Sequence, residues 1–294
     1  MRYSIITINF NNSNGLCNTI ESVIHQTYKD YEFIIIDGGS TDGSVNVIKD
    51  HQQHINYWVS EKDKGIYNAM NKGILVARGD YLIFINSGDM LYDDKVLESS
   101  LSYLNTDIVH GIAENQNSIV SPLCLIMIPN KKEIFSPTLH HQACFFRREL
   151  FNNSLYDENY KIVSDWKFYI EQILFHNCSF SHIPIKVALC EGEGISEVQN
   201  LLGINERIDV LMKIVKILKE KNIYNTYEYV ITNLMFTSKQ RLLIDKKIRN
   251  IEKYISTFPE SNNCYKNYPF SIKQKILFFL AKYRMKGIIK ALTR

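Results

Sequence analysis

Short apolar runs alternate with helical patterns over the first 110 residues, and this alternation strongly restricts the fold. The runs YSIITINF, YEFIIID, INYWVS and DYLIFIN have strand length and are rich in β-branched and aromatic residues. Between them, LCNTIESVIHQTY, SVNVIKDHQQH and GIYNAMNKGILVA indicate helices. This order predicts an α/β domain whose mostly parallel sheet is covered by helices on both faces.

The pattern continues less regularly beyond these elements. We expect a helix near Lys95 to Leu104, then the strand DIVHGIAE, and in HHQACFFRREL a strand that runs into a helix start. VSDWKFYIEQILFHN predicts a helix with Ser164 as its N-cap and Asp165 in its first turn. From about residue 195 the sequence is helical and basic.

Polar side chains follow three of the predicted strands. Thr7 and Asn9 end the first strand, Asp37 ends the second, and Asn86 to Asp89 follow the fourth. In sheets of this kind ligands bind just beyond the carboxyl ends of the strands. The clustering indicates a binding site at that edge.

Charge is unevenly distributed along the 294 residues. Residues 201–294 hold 19 Lys and Arg against 7 Asp and Glu, a net charge of +12. Because the whole chain has a net charge of +3, the first 200 residues have a net charge of −9. The six cysteines form no C-x-x-C pair, and neither a signal-peptide pattern nor an apolar run of about 20 residues is present. We expect a cytoplasmic protein, at most peripheral on the membrane.

Two common nucleotide motifs are missing. The sequence contains neither the P-loop pattern G-x-x-x-x-G-K-[ST] nor G-x-G-x-x-G after its first strand. DGGSTDGS, which follows the second strand, has two interpretations. In the structural interpretation, the segment forms a turn and a helix N-cap. In the functional interpretation, Asp37 accepts hydrogen bonds from the base or ribose of a nucleotide.

Five segments in fixed order resemble a known family: SIITINFNN, YEFIIIDGGSTDGS, EKDKGIYNAMNKGILVARGDYLIFINSGDML, HHQACFFRREL and VSDWKFYIE. Together they are similar to inverting family 2 glycosyltransferases of the GT-A fold, especially those that build bacterial capsule, colanic-acid-like and O-antigen polysaccharides. The resemblance covers residues 1–195. It implies a catalytic domain with a donor half at about 1–112 and an acceptor half at about 113–195, followed by a basic helical extension at 196–294.

The resemblance also implies which residues bind the nucleotide-sugar donor. Asp37 would contact the uracil or ribose of a UDP-sugar. Lys64 would lie near the diphosphate, although an exposed, solvated lysine is the alternative. The full set implied for donor binding is Thr7, Asn9, Asp37, Asp63, Lys64, Asn71, Asn86 and Gly88.

The family's metal motif, D-x-D-D, aligns with Asn86, Ser87, Gly88 and Asp89, so one carboxylate of three is present. Mg²⁺ is usually held by one or two carboxylates together with phosphate oxygens and water, so Asp89 alone is chemically sufficient. The resemblance therefore implies Mg²⁺ or Mn²⁺ bound through Asp89. A strand-ending turn is the alternative.

An inverting transfer needs a base for the acceptor hydroxyl. Asp165 matches the aspartate of the family's Glu-Asp pair, with Ser164 in place of the glutamate. Without the resemblance, an acid in the first helical turn would be read as a dipole partner. His141 and Gln142 match a His-Gln pair that the resemblance assigns to the acceptor or donor-sugar edge, although a core histidine is the alternative.

The C-terminal segment FSIKQKILFFLAKYRMKGIIKALTR carries seven Lys and Arg and no acid. It suits an anionic membrane surface or packing against the catalytic domain or another subunit, and nucleic-acid binding is not expected. The predicted function is transfer of a sugar, with inversion, from a UDP-sugar to a growing glycan or a lipid-linked glycan. The alternatives are an inactive nucleotide- or carbohydrate-binding partner and a sugar nucleotidyltransferase, whose Arg-containing loop after strand one is missing from NFNNSNGLCN.

Overall fold

A computed structural model describes residues 1–115, 140–191 and 200–220. The chain divides into two compact units, Met1–Thr237 and Ser238–Arg294, and every described residue belongs to the first. The predicted basic segment at 270–294 lies outside the described residues. The predicted domain boundary near residue 195 stays a prediction.

Eight strands and six helices form the described part of the fold. The strands are β1 Tyr3–Asn9, β2 Tyr31–Asp37, β3 Tyr57–Ser60, β4 Tyr81–Phe84, β5 Met90–Leu91, β6 Ile108–Asn115, β7 Cys144–Arg147 and β8 Phe180–Cys190. The helices are α1 Ser13–Ile24, α2 Ser44–Asp50, α3 Ile66–Val76, α4 Val96–Ser100, α5 Ser164–Phe175 and α6 Asn200–Glu220. Short 3₁₀ turns lie at Gln52–His54, Leu101–Tyr103, His141–Ala143 and Arg148–Phe151.

The strands form one sheet in the order β3-β2-β1-β4-β7-β6-β8-β5. The first four strands are mutually parallel, as the alternation predicts. The other half is mixed, because β7 runs antiparallel to β4 and β6, and β5 runs antiparallel to β8. The predicted α/β sheet flanked by helices is confirmed.

The chain order makes β1 the point at which strand order reverses. α1 and α2 connect neighbouring strands on one side of β1, whereas α3 crosses back and places β4 on the other side. Ligand sites in open α/β sheets form at such a reversal, beyond the carboxyl ends of the strands. The polar residues identified in the sequence follow β1, β2 and β4, so they lie around this point.

Helices cover both faces of β1, which is buried along its whole length. Tyr3 and Ile5 belong to the core cluster that includes Leu16 and Ile20 of α1. On the other face, a Cβ at Gly73 of α3 would lie 2.5 Å from the side chain of Ile6. This close approach requires glycine, and it fixes α3 and the loop before it against the sheet.

The predicted N-cap at Ser164 is wrong. Val163 is the cap residue, it makes no side-chain capping bond, and Ser164 is the first residue of α5. Ser164 is 1% exposed, and its hydroxyl oxygen has no hydrogen-bond partner in the structure. Core packing turns this side chain inward, which outweighs its preference for a capping position. Asp165 does lie in the first turn, as predicted.

No helix in the described residues is both long enough and apolar enough to span a membrane.

Candidate active site

The first part of the site is the Asp37 network, formed by Asn9, Asp37, Ser40 and Ser60. The buried carboxylate of Asp37 accepts bonds from Asn9 Nδ2 at 2.7 Å, Ser40 Oγ at 2.6 Å and Ser60 Oγ at 2.6 Å. The backbone amides of Gly39 and Ser40 also donate to it, at 3.2 and 2.9 Å. Burial raises the pKa of Asp37, but the bonds from Ser40, Ser60 and Asn9 outweigh burial and lower it. Asp37 is therefore a fixed anion at the tip of β2.

Two residues predicted to bind the nucleotide-sugar add acceptor oxygens here, one within the network and one beside it. Asn9 is buried, and its side-chain oxygen has no hydrogen-bond partner in the structure. A Cβ at Gly38 would lie 2.5 Å from Asp63 Oδ2, so the Asp63 carboxylate lies directly over the backbone that follows β2. Acceptor oxygens from β1 and from the loop after β3 therefore gather beside Asp37.

Three further residues predicted to bind the nucleotide-sugar donor form hydrogen bonds outside the Asp37 network. The Thr7 hydroxyl is buried and donates to the Ile85 carbonyl at 2.7 Å, which joins β1 to the end of β4. The buried Asn71 side chain bonds the backbone of Tyr156 at 2.9 and 3.0 Å. Lys64 is exposed, and its backbone amide donates to Asn68. Their roles in donor binding stay predictions.

The Asn86–Asp89 turn after β4 is held by α1. The Gly88 amide donates to the Thr19 hydroxyl at 3.0 Å, and that hydroxyl donates to the Asp89 carbonyl at 2.6 Å. Gly88 has φ of +99°, a conformation that favours glycine. The turn is therefore rigid, and it sets the direction of the Asp89 side chain.

Asp89 is a buried carboxylate with few donors. It is 9% exposed and accepts bonds from Gln142 Nε2 at 3.0 Å and from the Glu191 amide at 3.2 Å. Burial raises the pKa of Asp89, and the bond from Gln142 only partly offsets this effect. The side chain of Glu191, at the end of β8, adds a second negative charge close by.

The predicted base, Asp165, is bonded on both oxygens. Tyr67 Oη donates to Oδ1 at 2.7 Å, and His141 Nδ1 donates to Oδ2 at 2.9 Å. The other ring nitrogen of His141 accepts from Asn86 Nδ2 at 3.1 Å. Burial raises the pKa of Asp165, but the hydrogen bonds from His141 and Tyr67 outweigh burial and lower it. Asp165 is therefore ionised near neutral pH.

Two consecutive residues connect the predicted metal ligand with the predicted base. Gln142 bonds Asp89, while His141 bonds both Asp165 and Asn86. Both lie in the 3₁₀ turn His141–Ala143, just before β7. The sequence predicted this pair at the sugar or acceptor edge, and the structure brings it together with Asn86, Asp89 and Asp165.

Sequence reasoning missed several residues of the site: Thr19, Ser40, Ser60, Tyr67 and Glu191. A signal was available for Tyr67, because it lies four residues before Asn71 on α3 and so shares its helical face. None was available for Glu191. Its place beside Asp89 depends on the pairing of β5 with β8, in which Met90 faces Leu189.

The donor set near Asp89 fits a divalent cation. Asp89 and Glu191 offer hard carboxylate oxygens, the ligand type that Mg²⁺ and Mn²⁺ prefer. Within residues 1–115, 140–191 and 200–220, no three His, Cys, Asp or Glu side chains converge as a metal site. Such a cation would complete its coordination with phosphate oxygens and water, as Mg²⁺ usually does.

Comparison with known proteins defines the class. Residues 4–153 match the model of glycosyl transferase family 2. The chain therefore belongs to glycosyl transferase family 2, and it is an enzyme of the glycosyltransferase class. A curated relative, the poly(ribitol-phosphate) β-N-acetylglucosaminyltransferase TarP of Staphylococcus aureus, is 30% identical over 209 residues, which cover 58% of this chain and 62% of TarP.

Solved structures show the same fold. S. aureus TarS 1–349 in complex with UDP-GlcNAc matches with a TM-score of 0.66 at 14% identity, covering 99% of this chain and 90% of that one. The mannosyltransferase PcManGT from Pyrobaculum calidifontis, in complex with GDP-Man and Mn²⁺, matches with a TM-score of 0.58 at 12% identity and covers 87% and 81% of the two chains. At these identities the likeness concerns the fold alone, and it confirms the predicted GT-A fold.

Proposed function

We propose that this glycosyltransferase moves a sugar from a UDP-sugar to a growing surface polysaccharide with inversion at the anomeric carbon. The observation that carries the proposal is the link between Asp89 and Asp165 through the consecutive residues Gln142 and His141. One short turn thereby holds a cation-binding carboxylate and a base at the same sheet edge. The UDP-GlcNAc complex of TarS and the polymeric acceptor in the name of TarP support the donor and acceptor classes.

The donor's base and ribose would bind beside the Asp37 network. Uracil has one ring N–H, and the unpartnered side-chain oxygen of Asn9 is an acceptor for it. Asp63, over the backbone at Gly38, supplies further acceptors for ribose hydroxyls. The exposed Lys64 would approach the diphosphate as a point charge.

The diphosphate would lie near the Asn86–Asp89 turn, with Asp89 as the metal ligand. A bound Mg²⁺ or Mn²⁺ supplies Lewis-acid stabilisation of the departing diphosphate. The chain itself holds the turn in place through Thr19 and fixes the Asp89 carboxylate through Gln142.

Asp165 would act as the general base. The acceptor hydroxyl attacks the anomeric carbon from the side opposite the diphosphate, its proton passes to Asp165, and the bond from that carbon to the diphosphate breaks. Tyr67 and His141 hold the carboxylate in one orientation and keep it ionised. Attack from the opposite side inverts the anomeric centre.

Asp165→Asn tests this assignment. We expect turnover to fall by at least about 10²-fold, the contribution typical of general-base catalysis, with UDP affinity unchanged by calorimetry. Glu171→Gln, on the same helix, serves as the control, because its part-buried partner Lys167 keeps a second carboxylate, Asp157, at 3.6 Å. Normal turnover by a folded Asp165→Asn variant would remove Asp165 from the role.

A panel of UDP-, GDP- and dTDP-sugars, screened by thermal shift with and without Mn²⁺, tests the nucleotide and the metal together. A ligand at 100 times its dissociation constant stabilises a protein by about 2.7 kcal/mol, so the preferred donor gives the largest shift. Slow release of free UDP without acceptor distinguishes an active enzyme from the inactive binding partner. Family membership favours glycosyl transfer over nucleotidyl transfer.

The predicted capsule or O-antigen branch and the location belong to this proposal as well. We infer that the enzyme works at the cytoplasmic membrane face, where residues 270–294 would contact anionic lipid through their seven basic side chains. Co-sedimentation of the full chain with anionic vesicles, and not with neutral ones, is the expected result. Equal recovery with both vesicle types would contradict membrane attachment by charge.

A further inference from the structure

We propose that Glu191 supplies the second carboxylate of the cation site, in the space left by the missing acid at position 88. The inference rests on the proposed function, because it concerns the cation that would hold the donor diphosphate. It adds a ligand that lies about 100 residues away from the motif along the chain and that the motif's sequence does not reveal.

The first observation is the position of the Glu191 carboxylate. A Cβ built on Gly88 would overlap Glu191 Oε2, and it would lie 2.9 Å from the Glu191 carboxyl carbon. In the motif D-x-D-D, position 88 is an acid whose side chain would begin at that point. The carboxylate that the sequence lacks at position 88 is therefore supplied in space from the end of β8.

The second observation is the way that Glu191 is held. β5 and β8 pair antiparallel, with Met90 opposite Leu189 and Leu91 opposite Ala188. The Glu191 amide donates to Asp89 Oδ1 at 3.2 Å, and Asn12 Nδ2 donates to Glu191 Oε2 at 3.5 Å. The sheet register therefore places the Glu191 backbone beside Asp89, and the bond from Asn12 holds the carboxylate over Gly88.

The third observation is that this end of the sheet has more acceptors than donors. Asp89 and Glu191 are two like charges beside one another, and they receive three hydrogen bonds between them in the described structure. The side-chain oxygen of Asn86, at the first position of the motif, is buried without a hydrogen-bond partner. A divalent cation accepts six or more oxygen ligands, including carboxylates, amide oxygens and phosphates, and it removes the repulsion between the two carboxylates.

Two separate features of the structure therefore favour glycine at position 88. Its φ of +99° disfavours a side chain, and the carboxylate of Glu191 occupies the place of a Cβ. With this Glu191 rotamer, a side chain at position 88 would have to displace the Glu191 carboxylate.

The test measures Mn²⁺ binding, by electron paramagnetic resonance of free Mn²⁺, to the full chain with saturating UDP. We expect Glu191→Gln to weaken Mn²⁺ binding by about tenfold or more, since the number of charged ligands tunes affinity at such sites. Glu191→Asp, which keeps the charge on a shorter side chain, should lie between Glu191→Gln and the wild type. Glu149→Gln removes an exposed acid in the turn after β7 and should leave Mn²⁺ affinity unchanged.

The outcomes separate this inference from the function on which it rests. Wild-type Mn²⁺ affinity in a folded Glu191→Gln variant, together with loss of affinity in Asp89→Asn, overturns the role of Glu191 alone. If the wild type binds UDP equally with and without Mn²⁺, the metal part of the proposed function fails. UDP affinity of Glu191→Gln measured without metal should equal that of the wild type, and circular dichroism confirms that each variant is folded.

Discussion

Two aspartates at the same sheet edge have opposite surroundings. Asp37, at the tip of β2, receives five hydrogen bonds from two serines, an asparagine and two backbone amides, and its pKa is lowered. Asp89, beyond the tip of β4, receives two, and burial raises its pKa. Both are buried, so burial alone does not explain the difference.

The number of hydrogen-bond donors separates a residue that completes the fold from one that we propose as a cation ligand. The carboxylate of Asp37 is satisfied by the protein, so its charge organises the loop after β2. Asp89 retains lone pairs and an uncompensated charge, and a second carboxylate lies beside it. Buried charge without compensation costs stability in the free protein, and a cation can recover that cost on binding.

The largest expected effect is on the free energy of unfolding. Asp37→Ala leaves several buried donors without their acceptor, so we expect a loss of about 3 kcal/mol or more, measured by urea denaturation. Asp89→Ala should change the unfolding free energy by less than about 1 kcal/mol, because its removal leaves fewer donors unpaired and relieves a buried charge. Equal losses in the two variants would end the distinction between the two aspartates.

Metal-dependent UDP binding, in contrast to stability, should depend strongly on Asp89. With Mn²⁺ present, Asp89→Ala should bind UDP about 10²-fold more weakly than the wild type, because the cation loses its buried anionic ligand. Without metal, the two proteins should bind UDP alike in calorimetry. Retained Mn²⁺ dependence in Asp89→Ala would show that another group holds the cation.

A smaller effect concerns pH. Because the folded pKa of Asp37 is lowered from its ordinary value of 3.8, its carboxylate contributes stability fully above that value. The contribution is lost as the pH falls through the lower, folded pKa. The stability difference between wild type and Asp37→Ala should therefore be constant from pH 7 to 5 and shrink below about 3.8. A difference that already shrinks between pH 7 and 5 would contradict the lowered pKa.

The smallest expected effect is a shift in the pKa of Asp165, a third aspartate to compare with Asp37 and Asp89. Asp165 has two side-chain donors, and its pKa is lowered because the hydrogen bonds from His141 and Tyr67 together outweigh burial. His141→Phe leaves the burial and removes that support, so the pKa of Asp165 should rise and the acid limb of the kcat/KM profile should move to higher pH. Tyr67→Phe should move it less, in the same direction. An unmoved acid limb in His141→Phe would show that another group controls it.

Much of the fold follows from local sequence patterns. Apolar runs and helical spacing predict β1 to β4 and α1 to α3, because β1, β2 and β4 are buried on both faces and the helices pack on the sheet, although the edge strand β3 is partly exposed. The mixed second half was not predictable, since pairings such as β5 with β8 join residues about 100 apart. The prediction of Ser164 as the N-cap was wrong for a related reason, because packing in the core outweighs a local capping preference.

The candidate site also contains residues that local sequence patterns predict and residues that they do not. Asp37, Asp89 and Asp165 lie at strand and helix ends, where local patterns and a family resemblance identify them. Glu191 and Ser60 reach these aspartates only through sheet register, which a single sequence does not encode locally. The hydrogen-bond environment that distinguishes Asp37 from Asp89 is likewise a property of the assembled sheet.

The 3₁₀ turn at His141–Ala143 has a consequence for the geometry of the reaction. Displacement with inversion needs the incoming and departing oxygens on opposite sides of one carbon. Adjacent Cα atoms are about 3.8 Å apart, so the neighbouring side chains of His141 and Gln142 limit the separation of the proposed base, Asp165, and the proposed cation ligand, Asp89. If the proposed roles hold, this spacing does not depend on the sugar, so swapping the donor by engineering should leave residues 141 and 142 untouched and should instead change residues around the sugar ring.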